Sequence, residues 1–167
     1  MSLAVDIHRL LKGGLIEWER MDFFKSFHSS SILHSICAFA NDINNVGGGY
    51  IVIGIEVDDH RRPILPPKGL SPGEVKIFKD QVYEICHFLK PHYCPVINVV
   101  DYKDKKILLL WVPTGASRPY RAPRGLVNTG ERFFYIRKSF HSKKATVNEE
   151  LDLLAASNQS IFSLMLT

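Results

Sequence analysis

The sequence predicts an α+β fold: a mixed, largely antiparallel sheet of four to five strands with helices packed on one face. Segments 32–42 and 74–89 carry apolar or small residues at the spacing of core-facing helices. Segments 50–55, 96–102 and 106–112 are short, apolar and rich in β-branched residues, which is typical of strands. Packing two such helices on one face of such a sheet buries both apolar surfaces with the fewest layers.

The N-terminal third predicts helix, strand and helix in that order. Residues 3–12 have an apolar stripe that ends at two glycines, which predicts a short helix. Residues 15–24 alternate loosely, which predicts a first strand with its carboxylates on one face. Three serines at 29–31 are candidate caps for the helix over 32–42.

Three consecutive glycines, Gly47, Gly48 and Gly49, separate that helix from the strand over 50–55. The strand is apolar on both faces, as in a central strand covered on both sides. A glycine run can form a tight corner or present bare N–H groups to an anion, and the corner is the preferred interpretation. Asn41, near the helix end, is assigned with these glycines to a structural turn.

The remainder of the chain predicts a helix, a hairpin, a last strand and a closing helix. Capping boxes at 71–74 and 146–149 mark the starts of the two helices. The strands over 96–102 and 106–112 are joined by a short polar turn, which favours an antiparallel hairpin. Residues 133–138 predict the last strand.

We expect three segments along the chain. Residues 1–12 form an N-terminal helix, of which 1–3 resemble a cloning remnant. Residues 13–145 form the main domain, and 146–167 form a helix and tail that lead into a further domain.

Composition places the chain among cytoplasmic globular proteins. Hydrophobic residues make up 46% and charged residues 23%, which is ordinary for such a protein. No apolar run approaches the roughly 20 residues that span a bilayer, and no signal peptide is visible. Three cysteines, an odd number, suit a reducing compartment rather than a disulfide framework. We therefore expect no membrane partner.

Positive charge is concentrated in one segment. Residues 101–145 hold eleven Lys and Arg against three Asp and Glu, although the whole chain has a net charge of only +4. A basic segment on a slightly acidic body predicts a polyanionic partner. The lysines at 103, 105 and 106 are the exception, because they flank a hairpin turn and keep a sheet edge soluble.

Several short motifs then identify a family. They are EWERMDF (17–23), ICAFAND (36–42), GGGYIVIG (47–54), WVP (111–113), RPY (118–120) and YIR (135–137). Their order resembles that of the Schlafen-related Alba-like domain, AlbA type 2, of bacterial and archaeal proteins, over roughly residues 12 to 145. The resemblance implies an Alba-like architecture, in agreement with the pattern above, and a DNA-binding or transcription-regulator role.

The resemblance also implies a candidate catalytic site. Eukaryotic Schlafen relatives include RNA endonucleases that use a carboxylate trio. Glu17 and Asp22 correspond to the first two acids, with aspartate replacing the second glutamate, and Asp58 falls near the third, with Glu56 as the competing residue. Three converging carboxylates would hold Mg²⁺ or Mn²⁺, which activates water and neutralises charge at a scissile phosphate.

One departure from the family pattern weakens this interpretation. Relatives carry a lysine two residues after the second acid, where this chain has Phe24, and Lys25 follows one residue later. On a strand, a shift of one residue turns a side chain to the opposite face. The alternative is an exposed strand edge on which Glu17 and Asp22 pair with Arg20 or Lys25.

Basic residues and one tyrosine form the preferred binding site. Arginine grips phosphate bidentately, and a tyrosine ring between two arginines can stack on an unpaired base. The alternatives are that Tyr120 is a lid on the core and that Arg137 pairs with Glu17 or Glu19. The candidate binding residues are Lys25, Arg118, Tyr120, Arg121, Arg124, Arg137, Lys138, Lys143 and Lys144, with the hydroxyls of Ser139 and Ser142 as further donors.

A zinc site is a weaker alternative. Cys86, His87, His92 and Cys94 surround a predicted helix end, but their spacing matches no standard zinc finger. A buried cysteine with surface histidines is the preferred interpretation.

These observations together predict a nucleic-acid-binding module of a transcriptional regulator, with DNA or RNA as partner and no cofactor. One alternative is a metal-dependent endonuclease using Mg²⁺ or Mn²⁺. The other is a protein-interaction or oligomerisation module, and a homodimer is left open. The sequence favours a binding protein over an enzyme, because acids near strand ends are common and metal sites are few.

Overall fold

A computed structural model of the chain describes residues 7–12, 19–127 and 130–166, with side chains described as far as residue 157. The helices in these ranges are α1 (Ile7–Leu11), α2 (Ser29–Asn41), α3 (Pro72–Cys86) and α4 (Val147–Leu166). The strands are β1 (Met21–Phe24), β2 (Gly49–Ile53), β3 (Val96–Tyr102), β4 (Lys105–Val112), β5 (Arg121–Pro123), β6 (Arg132–Lys138) and β7 (His141–Lys144).

The larger sheet has the strand order β1-β2-β4-β3. Strand β1 runs parallel to β2, whereas β4 is antiparallel to both of its neighbours, so the sheet is mixed and largely antiparallel. The predicted α+β class and sheet type are therefore confirmed. Helices α2 and α3 pack on one face of this sheet through the main apolar cluster. Helix α1 contributes Ile7 and Leu11 to a second cluster with Val52 and Leu109.

The predicted last strand belongs to a separate sheet. Strands β5, β6 and β7 form a small antiparallel sheet in that order. The sequence patterns predicted only β6 of the three. The face of β6 that carries Tyr135 and Arg137 contacts α2 through His34 and Phe39.

The opposite face of the small sheet packs on α4. Ile136, Ala145 and Leu153 form a buried cluster there, against which Phe134 packs. The small sheet is thus enclosed between α2 and α4, and α2 contacts both sheets.

Helix α2 begins earlier than its sequence pattern predicts. Ser29, Ser30 and Ser31, predicted as caps, lie inside its first turn, and His28 occupies the cap position without a side-chain hydrogen bond. The helix ends where Asp42 adopts a left-handed conformation with φ of 44°. In contrast, α3 begins with the predicted capping box of Ser71 and Glu74.

None of the described helices is both long enough and apolar enough to cross a membrane.

Candidate functional site

The three glycines lie at the corner between α2 and β2. Gly47 and Gly48 have φ of 91° and 83°, which L side chains rarely adopt. The Asp42 carboxylate accepts the backbone N–H groups of Val46 (2.9 Å) and Gly47 (3.0 Å), and the Thr114 hydroxyl at 2.6 Å. The N–H groups of Val46 and Gly47 are therefore bound by the protein's own carboxylate rather than left open for an external anion.

Asn41 ties the end of α2 to the small sheet. Its side chain is fully buried. Nδ2 donates to the carbonyl oxygens of Tyr120 (3.0 Å) and Tyr135 (2.8 Å), while Oδ1 accepts the N–H of Tyr120 at 2.6 Å. Three backbone groups of β6 and of the segment before β5 thus depend on one amide.

Arg118 and Tyr120, both predicted to bind nucleic acid, have partners within the fold. Arg118 Nη1 donates to the carbonyl oxygens of Asn41 (3.3 Å) and Asp42 (3.1 Å), so this cation caps the C-terminus of α2. The Tyr120 ring is 2% exposed and packs against Tyr93 with ring centroids 5.2 Å apart. Tyr120 is therefore a core residue, as in the alternative interpretation, and offers no ring face for a base.

Arg137 and Asp22 form a largely buried ion pair between the two sheets. Arg137 Nη1 lies 3.2 Å from Asp22 Oδ2 and donates to Ser142 Oγ at 2.9 Å, and Nη2 donates to the Met21 carbonyl at 3.1 Å. Burial lowers the pKa of the Arg137 guanidinium, and the neighbouring Asp22 charge opposes that shift. The described partner of Arg137 is thus Asp22, not Glu19.

The same carboxylate also receives a hydroxyl. Ser35 Oγ donates to Asp22 Oδ2 at 2.5 Å and lies 2.9 Å from Ser142 Oγ. One oxygen of Asp22 therefore binds both a serine and an arginine.

The other predicted acids have different surroundings. Asp58 closes a turn by accepting the N–H groups of His60 (2.8 Å) and Arg62 (3.0 Å), and the hydrogen bond from the Arg62 backbone is the largest cause of its lowered pKa. Glu56 lies 3.9 Å from Lys25 Nζ as an exposed ion pair. Glu17 lies outside the described residues, so the carboxylate trio stays a prediction.

No three His, Cys, Asp or Glu side chains within the described ranges are grouped to hold a metal ion. The described ranges include Cys86, His87, His92 and Cys94, so the described side chains give no support to the zinc alternative. Cys86 is buried and Cys94 is exposed, both as free thiols.

Two predicted basic residues converge on one aromatic ring. Lys144 Nζ lies 4.1 Å from the ring centroid of Phe133, and the Arg124 guanidinium carbon lies 6.0 Å from the same centroid. These distances are within the range of cation–π contacts. We call Arg124, Phe133 and Lys144 the Phe133 surface.

The other predicted cations lie elsewhere. Arg121 contacts the ring of Phe134 at 5.3 Å, on the α4 side of β6, since successive side chains of a strand point to opposite faces. Lys143 is on that side too and pairs with Glu149 at 3.7 Å. Lys138 is exposed at the end of β6. The single basic patch predicted from sequence is therefore divided between two faces of the small sheet.

A polar cleft of about 230 Å³ is lined by residues of β1, α2 and β7, and Ser142 in its wall is two residues along β7 from Lys144 of the Phe133 surface. Ser31 and His34 line it from α2, Ser142 lines it from β7, and Arg61 reaches it from the loop after β2. The ring of His34 stacks on Tyr135 with centroids 3.9 Å apart.

His34 links the cleft to β5. Its Nε2 donates to the Pro123 carbonyl at 2.9 Å, because a carbonyl can only accept. Burial lowers the pKa of His34, which favours the neutral ring. Sequence reasoning missed the role of His34. The available signal was a polar stripe at 31, 34 and 35, at helical spacing, on an otherwise apolar helix.

Comparison with known proteins identifies the sequence family. The family model described as Schlafen, AlbA_2 matches residues 17–146, most of the chain, which confirms the resemblance seen in the motifs. No curated protein matches the sequence.

Two solved structures share the fold. The crystal structure of the DIP2311 protein of Corynebacterium diphtheriae aligns with a TM-score of 0.61 and 14% identity over 90% of this chain, which spans 28% of that protein. The solution structure of the N-terminal domain of a RecG-related protein of Nitrosomonas europaea aligns with a TM-score of 0.50 and 20% identity. That alignment covers 80% of this chain and 90% of the domain.

Proposed function

Because this chain belongs to the Schlafen AlbA_2 family, we propose that it is a nucleic-acid-binding module that grips phosphates along β7. DNA and RNA are both candidate partners, and a transcriptional regulator is the proposed context. The Nitrosomonas relative in fold is named as RecG-related, after an ATP-dependent DNA helicase, and this name agrees with a nucleic-acid partner.

The Phe133 surface carries the proposal. Phe133 holds Arg124 and Lys144 against one ring, at 6.0 and 4.1 Å, so that both cations are available to a single phosphate backbone. Neither cation has an ion-pair partner among the described residues, whereas Lys25 and Lys143 each have one. A cation that has no carboxylate partner can neutralise a phosphate without first breaking an ion pair, and each phosphate neutralised releases counterions from the nucleic acid.

The test measures binding against salt. Binding of labelled single-stranded and duplex DNA and RNA is measured by fluorescence anisotropy. The affinity should fall by about tenfold or more between 50 and 200 mM salt. The double variant Arg124→Gln/Lys144→Gln should weaken binding and reduce the slope of log K against log salt by about 1 to 2.

A matched control removes two positive charges elsewhere. Lys103 and Lys105 lie at the β3–β4 turn, and Lys103→Gln/Lys105→Gln changes net charge equally. This control should keep the wild-type salt slope. If both double variants lose the same affinity, binding depends on net charge alone and not on the Phe133 surface. Absence of binding to every oligonucleotide would refute the proposal.

A further inference from the structure

Building on the proposed nucleic-acid binding, we propose that the polar cleft is the closed end of the binding groove and receives the terminal phosphate of a single strand. The Phe133 surface and the cleft lie in sequence along β7. Lys144 and Ser142 are two residues apart on that strand, about 7 Å. This separation is of the order of one extended nucleotide, so a strand held at Lys144 reaches Ser142 with its next phosphate.

A bridge from the larger sheet closes the far end of this path. Arg61, in the loop after β2, donates from Nη2 to His141 Nε2 at 3.0 Å. Its guanidinium carbon also lies 5.7 Å from the ring centroid of Phe140. Phe140 lies in the turn before β7 and His141 is the first residue of that strand, so the bridge lies beyond Ser142, at the end of the path along β7 that is away from Lys144. A strand that enters from the Phe133 surface therefore ends at Arg61.

The bridge leaves Arg61 able to bind an anion. A guanidinium has five N–H donors and no acceptor, and the contact with His141 uses one of them. Arg61 is exposed and has no carboxylate partner within the described ranges. Its neighbour Arg62 instead pairs with Asp58, with Nε 3.1 Å from Oδ2. Of these adjacent arginines, Arg61 is thus the one that faces the cleft with its charge unmatched.

The inner wall of the cleft is fixed by hydrogen bonds. Arg137 lines it, is nine-tenths buried, and donates from Nη1 and Nη2 to Asp22, Ser142 and Met21. The Ser35 hydroxyl donates to Asp22, while the exposed Ser31 contributes a hydroxyl at the edge of the cleft. The one carboxylate in the cleft, Asp22, is held by Arg137 and Ser35, which offsets its repulsion of an anion.

This chemistry favours a phosphate monoester over an internal diester. A terminal phosphate carries about 1.5 to 2 negative charges at neutral pH and three acceptor oxygens. Arg61 keeps four N–H donors and an unmatched charge, and with the Ser31 hydroxyl it can bind the three oxygens of a terminal phosphate. An internal diester has fewer free oxygens, and its chain would have to pass through the Arg61 bridge.

The experiment compares three oligonucleotides of one sequence, eight nucleotides long and labelled internally, made as DNA and as RNA. One carries a 5′-phosphate, one a 3′-phosphate and one hydroxyls at both ends. We expect one phosphorylated form to bind at least about tenfold tighter than the hydroxyl form, as one or two charge-assisted hydrogen bonds give. The preferred form also identifies which end of the strand enters the cleft.

Adjacent arginine variants then locate the effect. Arg61→Gln should reduce the ratio of the dissociation constant of the hydroxyl form to that of the preferred phosphorylated form to about one. Arg62→Gln, in the same loop, should keep the wild-type ratio. Circular dichroism establishes that both variants are folded.

Two results would overturn the inference while the proposed function stands. One is salt-dependent binding of all three oligonucleotides with equal affinity. The other is a preference for the phosphorylated form that Arg61→Gln retains. If no oligonucleotide binds at any salt concentration, both the inference and the proposed function fail.

Discussion

At the scale of the residue, polar side chains around α2 stabilise the fold through contacts that their sequence motifs do not predict. The RPY motif predicts phosphate binding by Arg118 and base stacking by Tyr120, yet Arg118 caps α2 and Tyr120 is in the core. A sequence states which groups a residue carries but not which partner they meet. Here the two carbonyl groups that Arg118 caps, those of Asn41 and Asp42, lie 77 and 76 residues before it in the sequence.

Asn41 gives the first prediction at this scale. Asn41→Leu removes three hydrogen bonds to buried backbone groups of Tyr120 and Tyr135. Each unsatisfied buried group costs about 1 to 3 kcal/mol, so we expect the free energy of unfolding in urea to fall by roughly 3 kcal/mol or more. Asn44→Leu, at an exposed position just beyond the helix, should change it by less than about 0.5 kcal/mol. Equal effects of the two variants would contradict this role.

His34 gives a prediction for pH. Burial lowers its pKa in the folded state, so below about pH 6.5 the unfolded chain binds a proton that the folded chain excludes. The free energy of unfolding should therefore fall as pH decreases below 6.5. The stability that depends on a neutral His34 should be fully present above that pH.

The measurement compares urea midpoints at pH 7.5 and 5.5. His34→Gln should lose part of the wild-type decrease, whereas His60→Gln, at an exposed turn, should retain it. An unchanged decrease in His34→Gln would show that other groups cause it.

At the scale of the element, the sequence predicts long periodic segments and misses short ones. Helix α3 and strands β3 and β4 lie within three residues of their predicted bounds, because apolar periodicity and a capping box specify them. Strand β5 has three residues, one of them proline, and β7 is the polar run HSKK. Neither has an apolar alternation, so only pairing with β6 makes them strands.

The glycine corner gives a prediction for an element junction. A Cβ on Gly48 would overlap the carbonyl oxygen of Val112, and the residue has φ of 83°. We expect Gly48→Ala to lower the free energy of unfolding by more than about 2 kcal/mol, since strain and a backbone clash add. Gly125→Ala is the control, because an added Cβ there meets no atom within 4 Å. Comparable denaturation midpoints for both variants would refute the corner's role.

At the scale of the molecule, two sheets share one helix, and the sequence predicted only one sheet. Which strands pair depends on contacts between distant residues, and no local pattern assigned β6 to a separate sheet. The candidate site likewise depends on contacts between residues that are far apart in the sequence. The family resemblance nominated Asp22, and the basic segment nominated Arg124 and Lys144, but Arg61 and His141 enter the cleft only because the loop after β2 meets the start of β7 there.

The ion pair between the sheets gives the last prediction. Asp22→Ala leaves the Arg137 guanidinium buried without its counter-charge, which should lower the free energy of unfolding by about 3 to 5 kcal/mol. Adding Arg137→Met should recover part of that loss, because the unpaired charge is then absent. The exposed pair Asp101 and Lys106 is the control, and Asp101→Ala should cost less than about 1 kcal/mol. A double variant less stable than Asp22→Ala alone would contradict this interpretation.

The position of α2 between the two sheets has a consequence for synthesis of the chain. The helix leaves the ribosome long before its second partner, because Asn41 and Tyr135 are 94 residues apart. At about 5 to 20 residues per second, that interval lasts roughly 5 to 19 s. During it the face of α2 that will contact β6 has no native cover. Each nascent chain therefore passes through a period in which Asn41 and its neighbours are open to chaperones and to other unfinished chains.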